Sequence, residues 1–263
     1  MSRSLLHDYL ETLRNPAFWM YATWLDLVTK YRRSRLGMFW AFFPPILYTF
    51  GVGSFFAHLQ GMGAGKFVAH LGIGYMIFRF VTVSLSEATT TYAGHANFIL
   101  DGRTRLTDYI LRVVAKALFY FVLAIPIMAC ALVISPDFQW IGLITLLPAL
   151  ALVVLNIAWM GAVVSVIGAR LQDVYELIGS ALMFSFLFTP ILWTASSAPP
   201  DTLRGGIARA NPLFHLVEIV RAPLLGEPIE RLTYIYLVLF TLVGWLAAIF
   251  VYRRYARFVP MWI

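Results

Sequence analysis

A glycine-rich run ending in lysine, GMGAGKF at 61–67, has the composition of a loop whose backbone amides would cradle a nucleotide phosphate. Its spacing is wrong. The phosphate loop reads G-x-x-x-x-G-K-[ST], whereas Gln60 stands five residues before Gly65 and Phe67 follows the lysine. Asp101 and Asp108 are of the type that hold a metal or exchange a proton, but seven residues apart they lack the paired-carboxylate spacing of a membrane prenyl or glycosyl transferase. The lone Cys130 excludes a disulfide framework and a thiolate metal site, and no other grouping predicts a metal. Transport or binding is therefore expected, not catalysis. The side chains left to explain are cations and aromatic rings, concentrated in KYRRSRLGMFWAFFPPILYTF at 30–50. Arg32, Arg33 and Arg35 could take an anionic headgroup. Phe39, Trp40, Phe42, Phe43 and Tyr48, with Tyr75 and Phe78 further on, could present ring faces on which the C–H surfaces of sugars stack.

Composition says what must position them. The 263 residues are 60% hydrophobic and only 13% charged, and the mean hydropathy is +0.78. That is a polytopic, all-helical membrane protein, since roughly 20 apolar residues make one crossing. Six stretches qualify: 38–57, 67–86, 109–134, 141–169, 177–194 and 232–252. Of the twenty Lys and Arg, only Lys66, Arg204, Arg209, Arg221 and Arg231 fall on one side; Arg79 lies within span two and the rest fall on the other side. The positive-inside rule then places both termini in the cytoplasm. The net charge of +7 suits anionic inner-leaflet lipid and not nucleic acid, because the charges follow loop sidedness and form no stripe.

Residues 1–37 read as a cytoplasmic amphipathic segment and 38–263 as the six-helix membrane domain. Asp8, Glu11 and Arg14 interrupt the first apolar residues, so no cleavable signal peptide is expected. Leu5, Leu6, Tyr9, Leu10 and Leu13 recur at helical spacing, which predicts a helix on the membrane surface, serving as an anchor or a docking face. Between spans five and six, Asn211 should cap a helix with Pro212 at its first position, ending before Pro223. Too short to cross, it is expected to dip into the outer leaflet and return, as a gate or a surface hairpin within 196–226. Leu213, Phe214, Val217 and Val220 would share one side, with Glu218 beside Arg221. Arg79 is the one charge near a midplane. Unpaired, it would cost about 2.5 to 3.5 kcal/mol, so it should face a cavity, a subunit interface or a carboxylate.

At this point the chain resembles a family, the membrane subunits of ABC-2 type exporters for lipid-linked polysaccharides: O-antigen, capsule and teichoic-acid permeases. The likeness is carried by KYRRSRLGMFWAFFPP, HANFILDGRTRLTDYILRVVAKAL, GARLQDVYELI, FTPILW and NPLFHLVEIVRAPLLGEP, in that order over nearly the whole chain. The last is most like the O-antigen branch. The resemblance implies a homodimer in the bacterial cytoplasmic (inner) membrane, each subunit docked on a cytoplasmic ATPase that holds ATP and Mg, with no cofactor in this subunit. It also implies an undecaprenyl-diphosphate-linked glycan moving through a tunnel between the permeases. On it, Asn97, Asp101, Arg103, Arg105, Arg170, Asp173 and Glu176 become coupling residues toward the ATPase, while Asn211, Pro212, Phe214, His215, Glu218 and Arg221 become the outer gate. Many relatives have a proline where this chain reads LDGRTRLTD, which leaves that loop's shape open. Two other classes remain: an ABC-2 permease for a drug or simple lipid, and a stand-alone channel or secondary carrier.

Overall fold

The computed structural model describes residues 4–32 and 34–263. All regular structure among them is helical. Among the described residues, five helices are long and apolar enough to cross a bilayer: span one (Gly37–Leu59), span two (Ala64–Thr90), span three (Leu106–Val133), span four (Gly142–Arg170) and span six, counted as Arg231–Trp262 with its short tail. The expected fifth span, 177–194, is instead a helix of 15 residues, Val174–Phe188. At 1.5 Å per residue it reaches about 22 Å, short of the ~30 Å hydrocarbon. Its stop is chemical. Thr189 precedes Pro190 and takes extended backbone angles (φ −84°, ψ 132°), because the proline ring crowds an α conformation in the residue before it.

The missing depth is filled from the far end, opposite the termini. A short helix, Leu203–Ala210, leads into a re-entrant helix, Pro212–Leu224. The re-entrant helix packs against spans two and four. At its end, a Cβ on Gly142 would sit 2.2 Å from the Pro223 carbonyl oxygen, so only glycine lets the two backbones meet.

Span two is the buried axis, with Phe67, Leu71, Ile73, Ile77 and Val81 all inside the bundle. Span one, by contrast, is not one regular helix. A 3-10 turn (Gly37–Ala41) precedes a four-residue α turn with Pro44 and Pro45, a π-helical stretch (Leu47–Val52) and a final α segment (Gly53–Leu59). Two adjacent prolines remove two backbone donors, and the wider π turn is the local consequence.

The N-terminal segment forms two helices, α1 (Leu5–Arg14) and α2 (Ala17–Arg32). The expected apolar stripe divides. Leu5 and Tyr9 are buried with Asp8 and Thr12, while Leu6, Leu10 and Leu13 face outward. The inward face is chosen by partners distant in sequence: Tyr252 donates to Asp8 (2.8 Å), Tyr9 to the Ala158 carbonyl (2.8 Å), and Thr12 to Asp108 (2.8 Å). Helix α2 runs alongside span three, with Phe18 against Tyr109, Asp26 on Arg112 and Lys30 on Tyr120. Its outer side shows Met20, Tyr21, Trp24, Leu25 and Val28.

Candidate functional site

At the start of span one, Arg32 and Arg35 are exposed; Arg33 lies outside the described residues. Immediately before them, four charges link three elements. Arg112 donates to Asp26 (2.9 Å), Lys116 lies 3.1 Å from Asp26, and Lys116 also pairs with Glu87 of span two. Burial pushes the Asp26 carboxyl up, but hydrogen bonds and charge from Arg112 and Lys116 outweigh it and hold Asp26 below the usual carboxylate range. Glu87 is thus the partner of Lys116. Arg79 gains no carboxylate, and its Nη1 is buried without a hydrogen-bond partner among the described residues.

The aromatic candidates separate into three environments. Phe39, Trp40 and Phe43 are exposed on span one, Trp40 and Phe43 edge to face at 5.8 Å and Phe39 6.4 Å from the half-buried Phe42. Tyr48 and Tyr75 stack in parallel at 4.0 Å, joining spans one and two. Phe78 is buried against Phe186 (5.1 Å) and acts as packing between spans two and five.

The connection between spans two and three folds as a short helix (Ala96–Leu100), a turn, and a capped helix start. Gly102 turns the chain at φ +72°, a backbone conformation open to glycine at no steric cost. Asp108 accepts from the Arg105 N–H (2.8 Å), and Arg105 reaches Glu11 of α1 (3.3 Å). Arg103 pairs with Asp101 (3.4 Å), and both, with Asn97, remain exposed. A groove of about 430 Å³ runs between this turn and α2, lined by Asn15, Phe18, Phe98, Asp101, Arg103 and Arg105. Arg170 lies over the Trp262 ring (5.5 Å), while Asp173 and Glu176 are exposed at the start of the short fifth helix. The same end of the bundle therefore carries all seven expected coupling residues.

At the far end, Asn211 caps as expected, accepting from the Leu213 N–H (3.0 Å) with Pro212 at the first position. Its amide also donates to Thr189 (2.9 Å), tying the re-entrant helix to the end of the fifth. The helix passes Pro223 and ends at Leu224. A proline in the last turn is tolerated because Gly226, at φ +65°, closes the end and Glu227 N–H bonds back to Ala222. A surface hairpin is ruled out by burial, since the charged side is inside together with Leu213, Phe214, Val217 and Val220. Arg221 is 0% exposed. It donates to the Pro190 carbonyl and to Glu218, and its Nη1 lies 3.1 Å from His70 Nε2 on span two. His215 lies 3.0 Å from Thr233 of span six and 2.8 Å from the Arg209 carbonyl. Arg209 binds Glu230 in turn (2.8 Å) and keeps that carboxyl below its usual range. Burial, with Glu218 close by, raises Glu227.

Sequence reasoning missed Asp26, Lys116, His70 and the Asp8–Tyr252 contact. Each is a pairing across more than 25 residues. Glu218 and Arg221 carried a local signal, three residues apart on one helix face.

The chain is an all-helical bundle with a broken first span, a re-entrant helix at one end and an exposed loop-and-groove surface at the other. Residues 18–225 match the ABC-2 type transporter family, and the chain belongs to it. It is 29% identical over 201 residues to Nodulation protein J of Rhizobium leguminosarum bv. trifolii, covering 70% of this chain and 72% of that one. It is 23% identical over 200 residues to the O-antigen export system permease protein RfbA of Myxococcus xanthus, covering 75% and 76%. Nodulation protein J of Rhizobium meliloti is 26% identical over 201 residues, covering 70% and 72%. The chain is a multi-pass permease subunit of an exporter.

Proposed function

We propose that the protein is the membrane half of an ATP-driven exporter that moves a lipid-linked polysaccharide across the cytoplasmic membrane, working as a homodimer on a separate ATPase that holds ATP and Mg. The observation that carries this is the exposed face of span one, where Phe39, Trp40 and Phe43 follow directly on Arg32 and Arg35. Cations at the mouth suit a diphosphate head, and ring faces beyond it suit a sliding glycan. An undecaprenyl-diphosphate carrier fits both. The similarity to the Myxococcus xanthus O-antigen export permease supports the same substrate class.

In this reading the termini are cytoplasmic, because most Lys and Arg lie at their end of the bundle. The groove beside Arg103 and Arg105, with Arg170, Asp173 and Glu176, is where the ATPase docks. The re-entrant helix of Asn211, Pro212, Phe214, His215, Glu218 and Arg221 stands at the outer exit.

The test is recovery of the tagged protein in mild detergent with mass spectrometry and an ATPase assay. A stoichiometric, active ATPase is expected. A monodisperse chain that repeatedly comes without one would remove the ATP-driven reading. Gln at Arg32, Arg33 and Arg35, with insertion and docking intact, should abolish surface glycan; unchanged glycan would take these residues out of substrate handling.

A further inference from the structure

Arg79 sits near the middle of span two, and its Nη1 is buried and bonded to nothing among the described residues. The carboxylates toward that end of the bundle are committed elsewhere, Glu87 to Lys116 and Asp26 to Arg112 and Lys116. Arg79 as a whole is half-buried, and a guanidinium that gives up part of its water without gaining a counter-charge is disfavoured, whereas packing alone would be served by leucine. The space beside it is lined by Pro45 of span one, Met76 and Val83 of span two, and Ala117, Tyr120 and Phe121 of span three. Tyr120 brings a second cation to the same wall, since Lys30 donates to its hydroxyl (3.0 Å) and lies 5.0 Å from its ring centroid. Tyr75, one turn from Arg79, is held by its stack on Tyr48.

What this arrangement lacks is an anion with several acceptor oxygens. The planar five-donor fork of arginine matches a phosphoryl group. The walls select the rest of the molecule, being apolar and aromatic at the depth of hydrocarbon chains. We propose that Arg79, with Lys30 and Tyr120, forms a binding site for the phosphoryl head of a long-chain lipid; the choice of a prenyl diphosphate as that lipid rests on the export reading above. In the present state the site is shut. Its space is about 20 Å³, room for about one water molecule. The wall that must yield is Pro45, where span one passes from its proline turn into the π-helical stretch, and such irregular turns mark the points at which a helix rearranges.

The experiment measures binding of farnesyl diphosphate, inorganic diphosphate and farnesol to the full chain in maltoside detergent by microscale thermophoresis, without ATP or partner. The native protein should bind farnesyl diphosphate saturably and the other two weakly. Arg79→Gln should weaken it at least about tenfold, the loss expected for a charge-assisted hydrogen bond. Arg79→Lys, which keeps the charge and guards against misfolding of the glutamine variant, should retain part of the affinity. Unchanged affinity in Arg79→Gln, equal binding of inorganic diphosphate, or no saturable binding by the native chain would each overturn the site. The export reading stands or falls separately, on recovery of the ATPase.

Discussion

Replacing Arg221 by methionine should be among the most damaging single changes in the chain. The side chain is 0% exposed and meets three groups at once: the Glu218 carboxylate, the Pro190 carbonyl and His70. Methionine fills similar volume but leaves Glu218, itself 8% exposed, as a buried charge without its partner. Breaking one side of such a pair costs about 3 to 5 kcal/mol, whereas replacing both sides by uncharged groups is often close to neutral. At ~2 to 4 °C per kcal/mol for a chain of this size, Arg221→Met should lower the midpoint of thermal unfolding in detergent by about 6 to 20 °C. The double variant Glu218→Gln with Arg221→Met should recover much of that loss, a non-additivity of about 0.5 to 3 kcal/mol. The midpoint is read from the fluorescence of the protein's tryptophans during heating. A drop of under about 1 kcal/mol in Arg221→Met, or a double variant equal to the sum of the singles, would refute the ion pair as the fastening of the re-entrant helix.

Asp26 gives a pH prediction. Its folded pKa is depressed, so the docking of α2 that it supports is complete above the unfolded value of about 4 and is lost as pH falls through the lower folded value. Trp19 and Trp24 fluorescence should stay constant from pH 7 to about 4 and change below it, and Asp26→Asn should remove that step. Alanine at Trp40 or Phe43 should each slow glycan export about two- to tenfold, the value of one stacking contact, with insertion and partner recovery unchanged; surface glycan on immunoblots reads the effect. Arg103→Glu reverses an exposed charge beside the groove and should reduce ATPase recovered in the pull-down without lowering the unfolding midpoint.

Much of the bundle is legible in local sequence, because a bilayer demands about 20 apolar residues and water at either side demands charge. Apolar length located spans one, two, three, four and six within a few residues. It failed where the chain need not cross: the apolar run reaches Trp193, but Thr189 and Pro190 stop the fifth helix, and residues after the stop pack inside without being helical. Amphipathic counting likewise put five apolar side chains of α1 on one face, whereas three hydrogen bonds to Tyr252, Ala158 and Asp108 decide which face is buried. The re-entrant helix carried its own cap and pair in sequence. That its polar side is buried depended on His70 and Pro190, which no spacing rule connects to it.

Span two ties the two ends together, and this decides which wall of the bundle moves. At one end Glu87 is fixed through Lys116 to α2; at the other His70 meets Arg221 of the re-entrant helix. Both ties lie on one unbroken 27-residue α-helix, Ala64–Thr90, so it should serve as a strut, with rearrangement falling to span one and its prolines and π turn. The contact that must slip is marked by Gly72, where a Cβ would lie 3.4 Å from the Thr49 Cβ. That separation is close to the ~3.5 to 4.5 Å of a disulfide, so Thr49→Cys with Gly72→Cys should crosslink spans one and two on oxidation, once Cys130 is replaced by serine. Oxidised protein should retain its ATPase partner and lose export, and reduction should restore export. Full export from completely crosslinked protein would mean that span one stays fixed on span two throughout transport, and the moving element would then have to be sought in the short fifth helix.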